Sequence, residues 1–419
     1  MLWPSTGCAI VSLMERFKTY ALVAIAAVLL VGIAGAISQR AVIERFLTVK
    51  GGDPLTLPID WYTPKEPVPG ALTNSIPVAD AAERTIPSTA LEAAAAYAEA
   101  QGSQTLLVVH KGVIQLERYW GGMDRDSWFN PQSMSKSIFS LMIGIAIEDG
   151  YIGAVTDPVG KYIEEWRDDP RGTATIEQTL RMSAGLEQMN ESYDITLFSR
   201  GALYSMGQDF DGMILDLKQV DRPGTTFDYN NEETNLLGIV IERATGRRYA
   251  EYLSEKLWYP LGMADAAMYL DRPNGSVMKS CCIFSRPYDW AKIGLFIANR
   301  GAWNGEQLVP AAWIDAMLTP SPLRDFYGYY VWLGSSYIEK GEFGIPKSDI
   351  PVAPEGYHTD DMVIFLGYGE QRVWISKSNE LVIVRGTKTW APSWNETRIP
   401  NIILDAIKTQ ELDEDAVTP

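Results

Sequence analysis

Histidine is almost missing from this chain. Its 419 residues include two, His110 and His358. No G-x-S-x-G elbow occurs either, which disfavours a histidine-dependent hydrolase triad of that type. Two isolated histidines provide no H-E-x-x-H helix and no other metal-ligand spacing, so neither a metal nor any other cofactor is expected. His110 ends an apolar strand beside a hairpin turn and reads as structural, and His358 lies in a polar loop. Cysteine is scarce: Cys8 stands alone and Cys281 and Cys282 are adjacent, which builds no disulfide framework and leaves the redox compartment open. Positive charge is in deficit. Lys and Arg total 36 against 53 Asp and Glu, for a net charge of −17. Such a surface repels phosphate backbones, so nucleic acid is not an expected partner. A phosphate-cradling loop is also lacking, because Gly367-Tyr-Gly369 has no third glycine and reads as a turn or strand kink. No internal repeat is visible.

One long apolar run is present, Tyr20 to Ile37. At about 1.5 Å per residue it would just span a bilayer core. Residues 1–50 are therefore expected to be a membrane anchor, with the catalytic body outside the cytoplasm (periplasmic or extracellular). Ala34-Gly-Ala36 keeps a cleaved secretory signal open as the competing reading, which would make the protein secreted. Residues 51–79 carry Pro54, Pro58, Pro64, Pro67 and Pro69 and read as an extended tether. The body is expected over 80–410, followed by an acidic tail, 411–419. Strand patterns cluster at the two ends of the body: 106–110 and 113–120, then 328–333, 362–366, 372–375 and 381–385. Helical periodicity dominates between them. This distribution predicts one sheet assembled from both ends (about 80–132 and 300–410), with a helical insertion at about 150–299.

What stands out is Ser133 and Lys136 in Gln132-Ser-Met-Ser-Lys136, just ahead of the apolar stretch Ile138 to Ile147 with its stop at Gly150. A chain this long shows roughly one S-x-x-K by chance, so the context has to carry the reading. Residues three apart share a helix face, which lets the Lys136 amine reach the Ser133 hydroxyl. A serine hydroxyl is a weak nucleophile until a base takes its proton, and a lysine serves once burial disfavours its charge. A second element, Tyr229-Asn-Asn231, sits on a turn before an apolar-periodic helix, Thr234 to Arg243. A phenol and an amide there can both point into a cleft.

Together these residues resemble the serine β-lactamase and penicillin-binding-protein superfamily, in the class C β-lactamase-like branch that includes esterases and 6-aminohexanoate-dimer hydrolases. The likeness covers roughly residues 80–407. It includes Ser133-x-x-Lys136, Tyr229-x-Asn231, Pro223-Gly-Thr225, Pro260-Leu-Gly-Met263 and Gly301-Ala-Trp-Asn-Gly305. The resemblance implies an α/β part with an antiparallel sheet plus an all-α part. It also implies an acyl-enzyme on Ser133, with Lys136 and Tyr229 sharing proton transfer and Asn231 orienting Lys136 or the substrate. The expected substrate is a small-molecule amide or ester. A β-lactamase, a D-amino-acid peptidase and a non-catalytic peptide- or wall-binding protein of the same fold are the alternatives.

The third motif of such relatives, Lys-Thr-Gly or His-x-Gly, is absent. Lys388-Thr389-Trp390 lacks the glycine and follows the last strand pattern. Alignment through Gly367-Tyr-Gly369 instead puts Asp361-Met-Val363 at that position. On this reading Ile364 supplies the second oxyanion N–H, Gly367 is counted with the substrate and oxyanion residues, and Asp361 repels a substrate carboxylate.

Overall fold

The computed structural model describes residues 18, 20–22, 25–26, 40–49, 57–72, 76–189, 199–334, 355–389, 391 and 393–417. In chain order its strands are β1 (Lys65–Val68), β2 (Ser103–His110), β3 (Val113–Tyr119), β4 (Ala266–Tyr269), β5 (Ile283–Phe284), β6 (Trp332–Leu333), β7 (Val363–Gly367), β8 (Gln371–Ser376) and β9 (Leu381–Thr387), besides a small hairpin, Ala302–Trp303 with Glu306–Gln307. The helices that matter for the site are α1 (Arg40–Val49), α2 (Ser88–Ala100), α3 (Ser135–Glu148), α4 (Asn231–Thr245), α5 (Pro287–Ala298) and α6 (Arg398–Val417).

The main sheet has the order β3-β2-β9-β8-β7-β6, and every neighbouring pair is antiparallel. Strands from the two ends of the body therefore meet at β2–β9, where Val108 faces Ile383. The β2–β3 hairpin turns on Lys111 and Gly112, whose φ of 52° and 74° give the double left-handed turn that suits a twisted two-residue connection. Strand alternation then divides the layers. Val373 and Val382 press on Gly294 of α5. On the opposite face Arg385 donates to the Gln101 carbonyl at the end of α2, and α6 packs against α2. The fold is β-lactamase-like, an antiparallel sheet flanked by helices, as the sequence implied.

The chain between β3 and β6 is mainly helical, but it also contains β4 and β5. These pair with β1 in a second, three-stranded sheet of order β1-β4-β5. The stretch expected to be a tether thus supplies a strand of the body, with Lys65 opposite Tyr269. A four-residue strand with a proline at its third position gives too weak a period-two signal to read in sequence. The acidic end is likewise not a separate tail, since α6 runs on to Val417.

The expected membrane anchor, and the placement outside the cytoplasm that rested on it, are corrected. Among the described residues, no helix is long and apolar enough to cross a membrane. Most of Tyr20 to Ile37 lies outside the described residues; 20–22 and 25–26 are helical and exposed. The end of the segment assigned to the anchor, α1, docks on the body instead. Val42 is buried there, and the Arg45 guanidinium donates to the carbonyls of Met206 (2.7 Å), Asp271 (3.2 Å) and Thr63 (2.5 Å). A buried guanidinium needs this many acceptors to offset its lost hydration.

Candidate active site

Ser133 lies in a single 3-10 turn, Gln132–Met134, that leads directly into α3. Gln132 has φ 53°, a left-handed conformation held by its N–H donating to Asn130 Oδ1 at 3.0 Å. The twist leaves Ser133 partly exposed, whereas α3 is buried from Ser135 to Ala146. This burial explains the uniformly apolar run after the motif: α3 runs through the core rather than lying on it. Ser135 faces away from the cleft. It is fully buried, and its Oγ accepts from the Ile283 N–H at 3.3 Å.

The Lys136 amine is 3.0 Å from Ser133 Oγ, 2.7 Å from Asn231 Oδ1 and 2.8 Å from the Ser280 carbonyl. It is 1% exposed. Burial pushes its pKa down to about 7, and the neighbouring Glu232 carboxylate opposes that shift. A neutral amine has two N–H groups and one lone pair. Asn231 and Ser280 offer only acceptors, which use both N–H groups and leave the lone pair for the Ser133 hydroxyl proton. Both are held firmly. Asn231 is the first residue of α4, whose cap, Asn230, accepts from the Glu232 and Glu233 N–H groups and donates to the Leu186 carbonyl. Ser280 follows Lys279, a fully buried lysine tied to Asp211 at 2.8 Å and Glu242 at 3.2 Å.

The Tyr229 ring centroid is 5.2 Å from the Lys136 nitrogen, and the ring packs on Trp332 of β6 at 5.5 Å. Ser133, Lys136, Tyr229 and Asn231 therefore converge. A cavity of about 170 Å³ opens beside Ser133, with Asn231, Glu232, Ser280 and the Cys281–Cys282 pair in its wall. These two cysteines form a disulfide between adjacent residues, which closes no chain loop and so leaves no spacing pattern to read.

The Beta-lactamase family model matches residues 90–328, more than half of the chain. The chain belongs to the beta-lactamase family. It is 27% identical over 231 residues to the 6-aminohexanoate-dimer hydrolase of Paenarthrobacter ureafaciens, a match covering 52% of this chain and 57% of that protein. To Protein flp of Staphylococcus aureus it is 25% identical over 170 residues, 38% of this chain and 33% of that one. Among solved structures, a Bacillus anthracis protein provisionally assigned as a 6-aminohexanoate-dimer hydrolase superposes with a TM-score of 0.63 at 21% identity, covering 85% of this chain and 91% of the other. EstCE1, a hydrolase with promiscuous acyltransferase activity, superposes at 0.58 and 14% identity, covering 76% and 98%. At these identities the two superpositions show the fold.

Within this beta-lactamase fold, three residues expected from the alignment behave differently from one another. Gly367, at the end of β7, touches the serine turn. A Cβ there would overlap the Pro131 carbonyl oxygen and crowd Gln132. Ile364 does not reach the turn. It is fully buried inside the sheet, between Trp374 of β8 and Trp332 of β6. The Met362 carbonyl accepts from the Gly334 N–H, so by strand alternation the Ile364 N–H also faces β6. It lies three residues, about 10 Å, short of Gly367. Asp361 is farther still, beyond the opposite end of β7. Its carboxylate accepts from Ser376 Oγ at 2.6 Å, the Ser378 N–H at 2.6 Å and Thr359 Oγ1 at 2.7 Å. Burial pushes its pKa up, but these hydrogen bonds outweigh that and hold it below the usual value. Asp361 closes the β8–β9 turn and does not face substrate. The contact with the serine turn is made at the Gly367 end of β7, where the strand turns back through 368–370 into β8, and not at Ile364 or Asp361.

Neither histidine is near the serine. His110 is buried, its Nδ1 2.7 Å from Thr85 Oγ1, and burial lowers its pKa to about 4. His358 pairs with Asp405 of α6 at 2.5 Å. Sequence reading missed Ser280, Asn230 and Glu232. Ser280 contributes a backbone carbonyl, which no residue type announces. Asn230, with Glu232 and Glu233 in the first turn after it, is an N-cap signature and was legible.

Proposed function

We propose that the protein is a serine hydrolase that cleaves amide or ester bonds through an acyl-enzyme on Ser133. The observation that carries this is the set of three neighbours around the Lys136 nitrogen, which leaves its lone pair for the Ser133 hydroxyl. The lone pair takes the proton as Ser133 Oγ attacks the carbonyl carbon. The oxyanion is held by the Ser133 N–H and by backbone N–H groups of the strand end that touches the serine turn at Gly367. Tyr229, beside Lys136, shares in passing the proton to the departing amine or alcohol. Water then attacks the acyl-enzyme, the neutral Lys136 amine takes the water's proton, and that proton restores the Ser133 hydroxyl as the acid departs. A relative named as the hydrolase of a 6-aminohexanoate dimer, whose two amino-acid units are joined by an amide bond, supports hydrolysis of an acyl bond as the reaction class. The scheme needs no cofactor.

A fluorophosphonate probe tests the reading, since only an activated serine reacts with it. The wild-type protein should label and Ser133→Ala should not, with loss of all ester turnover. Ser135→Ala should retain labelling, because that hydroxyl points into the core. Lys136→Ala should lower turnover by about a hundredfold or more. Labelling that survives in Ser133→Ala, or a wild type that neither labels nor turns over any ester, would leave a non-catalytic binding protein as the better reading.

A further inference from the structure

The cavity beside Ser133 is closed partly by chain that precedes the family match. Trp61 and Tyr62 line it together with Tyr269, Met278 and the Cys281–Cys282 pair. Trp61 is fixed from two directions. Its indole N–H donates to Thr48 Oγ1 of α1 at 2.9 Å, and its ring lies 4.9 Å from Tyr62 and 6.3 Å from Tyr269. Beneath this wall the Arg45 guanidinium sits 4.9 Å from the Tyr269 ring, with its donors directed at backbone carbonyls.

Size and charge narrow what fits. A dry, apolar cavity of about 150 Å³ holds a benzene molecule, and this one measures about 170 Å³. Aromatic walls favour a ring laid against them edge-on or offset. No lysine, arginine or histidine is among the described lining residues, and the one ionisable acid there is Glu232, 3% exposed. A substrate carboxylate would meet no cationic side chain in the wall, because the Arg45 guanidinium is turned to backbone carbonyls and the Lys136 amine is neutral above about pH 7, and it would face a like charge whenever Glu232 is ionised.

We propose that this cavity is a subsite for one neutral, ring-sized apolar group of the substrate, and that Trp61, supplied by the segment after α1, is its specificity-determining residue. The inference rests on Ser133 being the nucleophile for its turnover arm but not for its binding arm. Methyl acetate, methyl phenylacetate, benzyl acetate and methyl 4-carboxyphenylacetate, followed by acid release, place a ring on either side of the scissile bond or add a carboxylate to it. In the wild type at least one ring-bearing neutral ester should exceed methyl acetate in kcat/KM by about tenfold, the scale expected for filling an apolar pocket. The carboxylated ester should fall about tenfold below its neutral counterpart. Trp61→Ala should collapse the ring-to-methyl ratio towards one, and Trp61→Phe should keep most of it. Independently of chemistry, phenylacetamide should bind the Ser133→Ala protein in saturation-transfer NMR. Acetamide and phenylacetate should not, and the signal should disappear on adding Trp61→Ala. Equal wild-type rates for ring-bearing and methyl esters, a ratio unchanged in Trp61→Ala, or phenylacetate binding as well as phenylacetamide would each overturn the subsite. Absent turnover with intact phenylacetamide binding would instead overturn the hydrolase reading and leave the subsite standing.

Discussion

The proton inventory of one nitrogen makes a prediction at the scale of single residues. Burial lowers the Lys136 pKa to about 7, and the neutral amine is the form that can accept a proton. The active form therefore gains as pH rises through about 7 and is lost below it. The kcat/KM for a neutral ester should fall about tenfold per unit on the acid side of that value. Glu232 opposes the downward shift, so Glu232→Gln should move the inflection to lower pH. A profile flat from pH 5 to 9, or an inflection that stays put in Glu232→Gln, would remove Lys136 as the base. The linkage to stability has the opposite reference state. Between about 7 and the ordinary value of 10.5 the unfolded chain holds a proton here that the folded chain lacks, so stability should rise with pH across that window.

Among the elements, the decisive contact is between a strand end and a turn. The β7–β8 hairpin brings Gly367 against Pro131 and Gln132, and it is the missing side chain that permits the approach. Gly367→Ala should force the serine turn and the strand end apart by a fraction of an ångström or more. Misplacement on that scale should lower kcat for ester turnover by at least about tenfold. The urea midpoint should change much less, because the rest of the sheet is untouched. Unaltered kcat in this variant would mean that the strand end takes no part in the oxyanion site. Asp361 belongs to the same hairpin but to its remote end, so its substitution should loosen the β8–β9 turn without changing preference for substrate charge.

For the molecule as a whole, the last segment of chain is tied to the sheet by a buried ion pair. Arg372 of β8 donates to Glu396 through Nε at 2.7 Å and Nη2 at 2.8 Å, with both side chains almost fully buried. Arg372 also donates to the Gly367 carbonyl at 3.1 Å, which links this pair to the hairpin at the site. Glu396→Gln would remove the carboxylate that accepts two of the buried Arg372 hydrogen bonds, and breaking a buried pair on one side costs about 3–5 kcal/mol. Urea unfolding should register that loss. Replacing both residues by apolar ones, Arg372→Met with Glu396→Leu, should restore much of the stability, though not the hold on Gly367, so activity should stay low. If Glu396→Gln unfolds at the wild-type urea concentration, the pair is not what fastens α6 and its approach to the sheet.

Sequence patterns that depend on near neighbours were sufficient for much of this protein. The short continuous apolar runs of β2, β8 and β9, buried on both faces, the buried run of α3, and the three-residue spacing of Ser133 and Lys136 all follow from local geometry. They specified a sheet assembled from both ends of the body and the Lys136 amine beside the Ser133 hydroxyl. Tyr229 and Asn231 were legible because a turn before a capped helix holds them in one place. What only the tertiary structure decided lies at long range. The Ser280 carbonyl reaches Lys136 across 144 residues of chain. The proline-rich segment pairs its short strand with β4 instead of standing off as a tether. α1 directs its arginine at carbonyls of the body. Which residue of β7 meets the serine turn, Gly367 and not Ile364, is decided by the packing of that strand end on Pro131 and Gln132. Each is a backbone pairing or a burial between distant segments, and such pairings leave no periodicity in either partner's sequence.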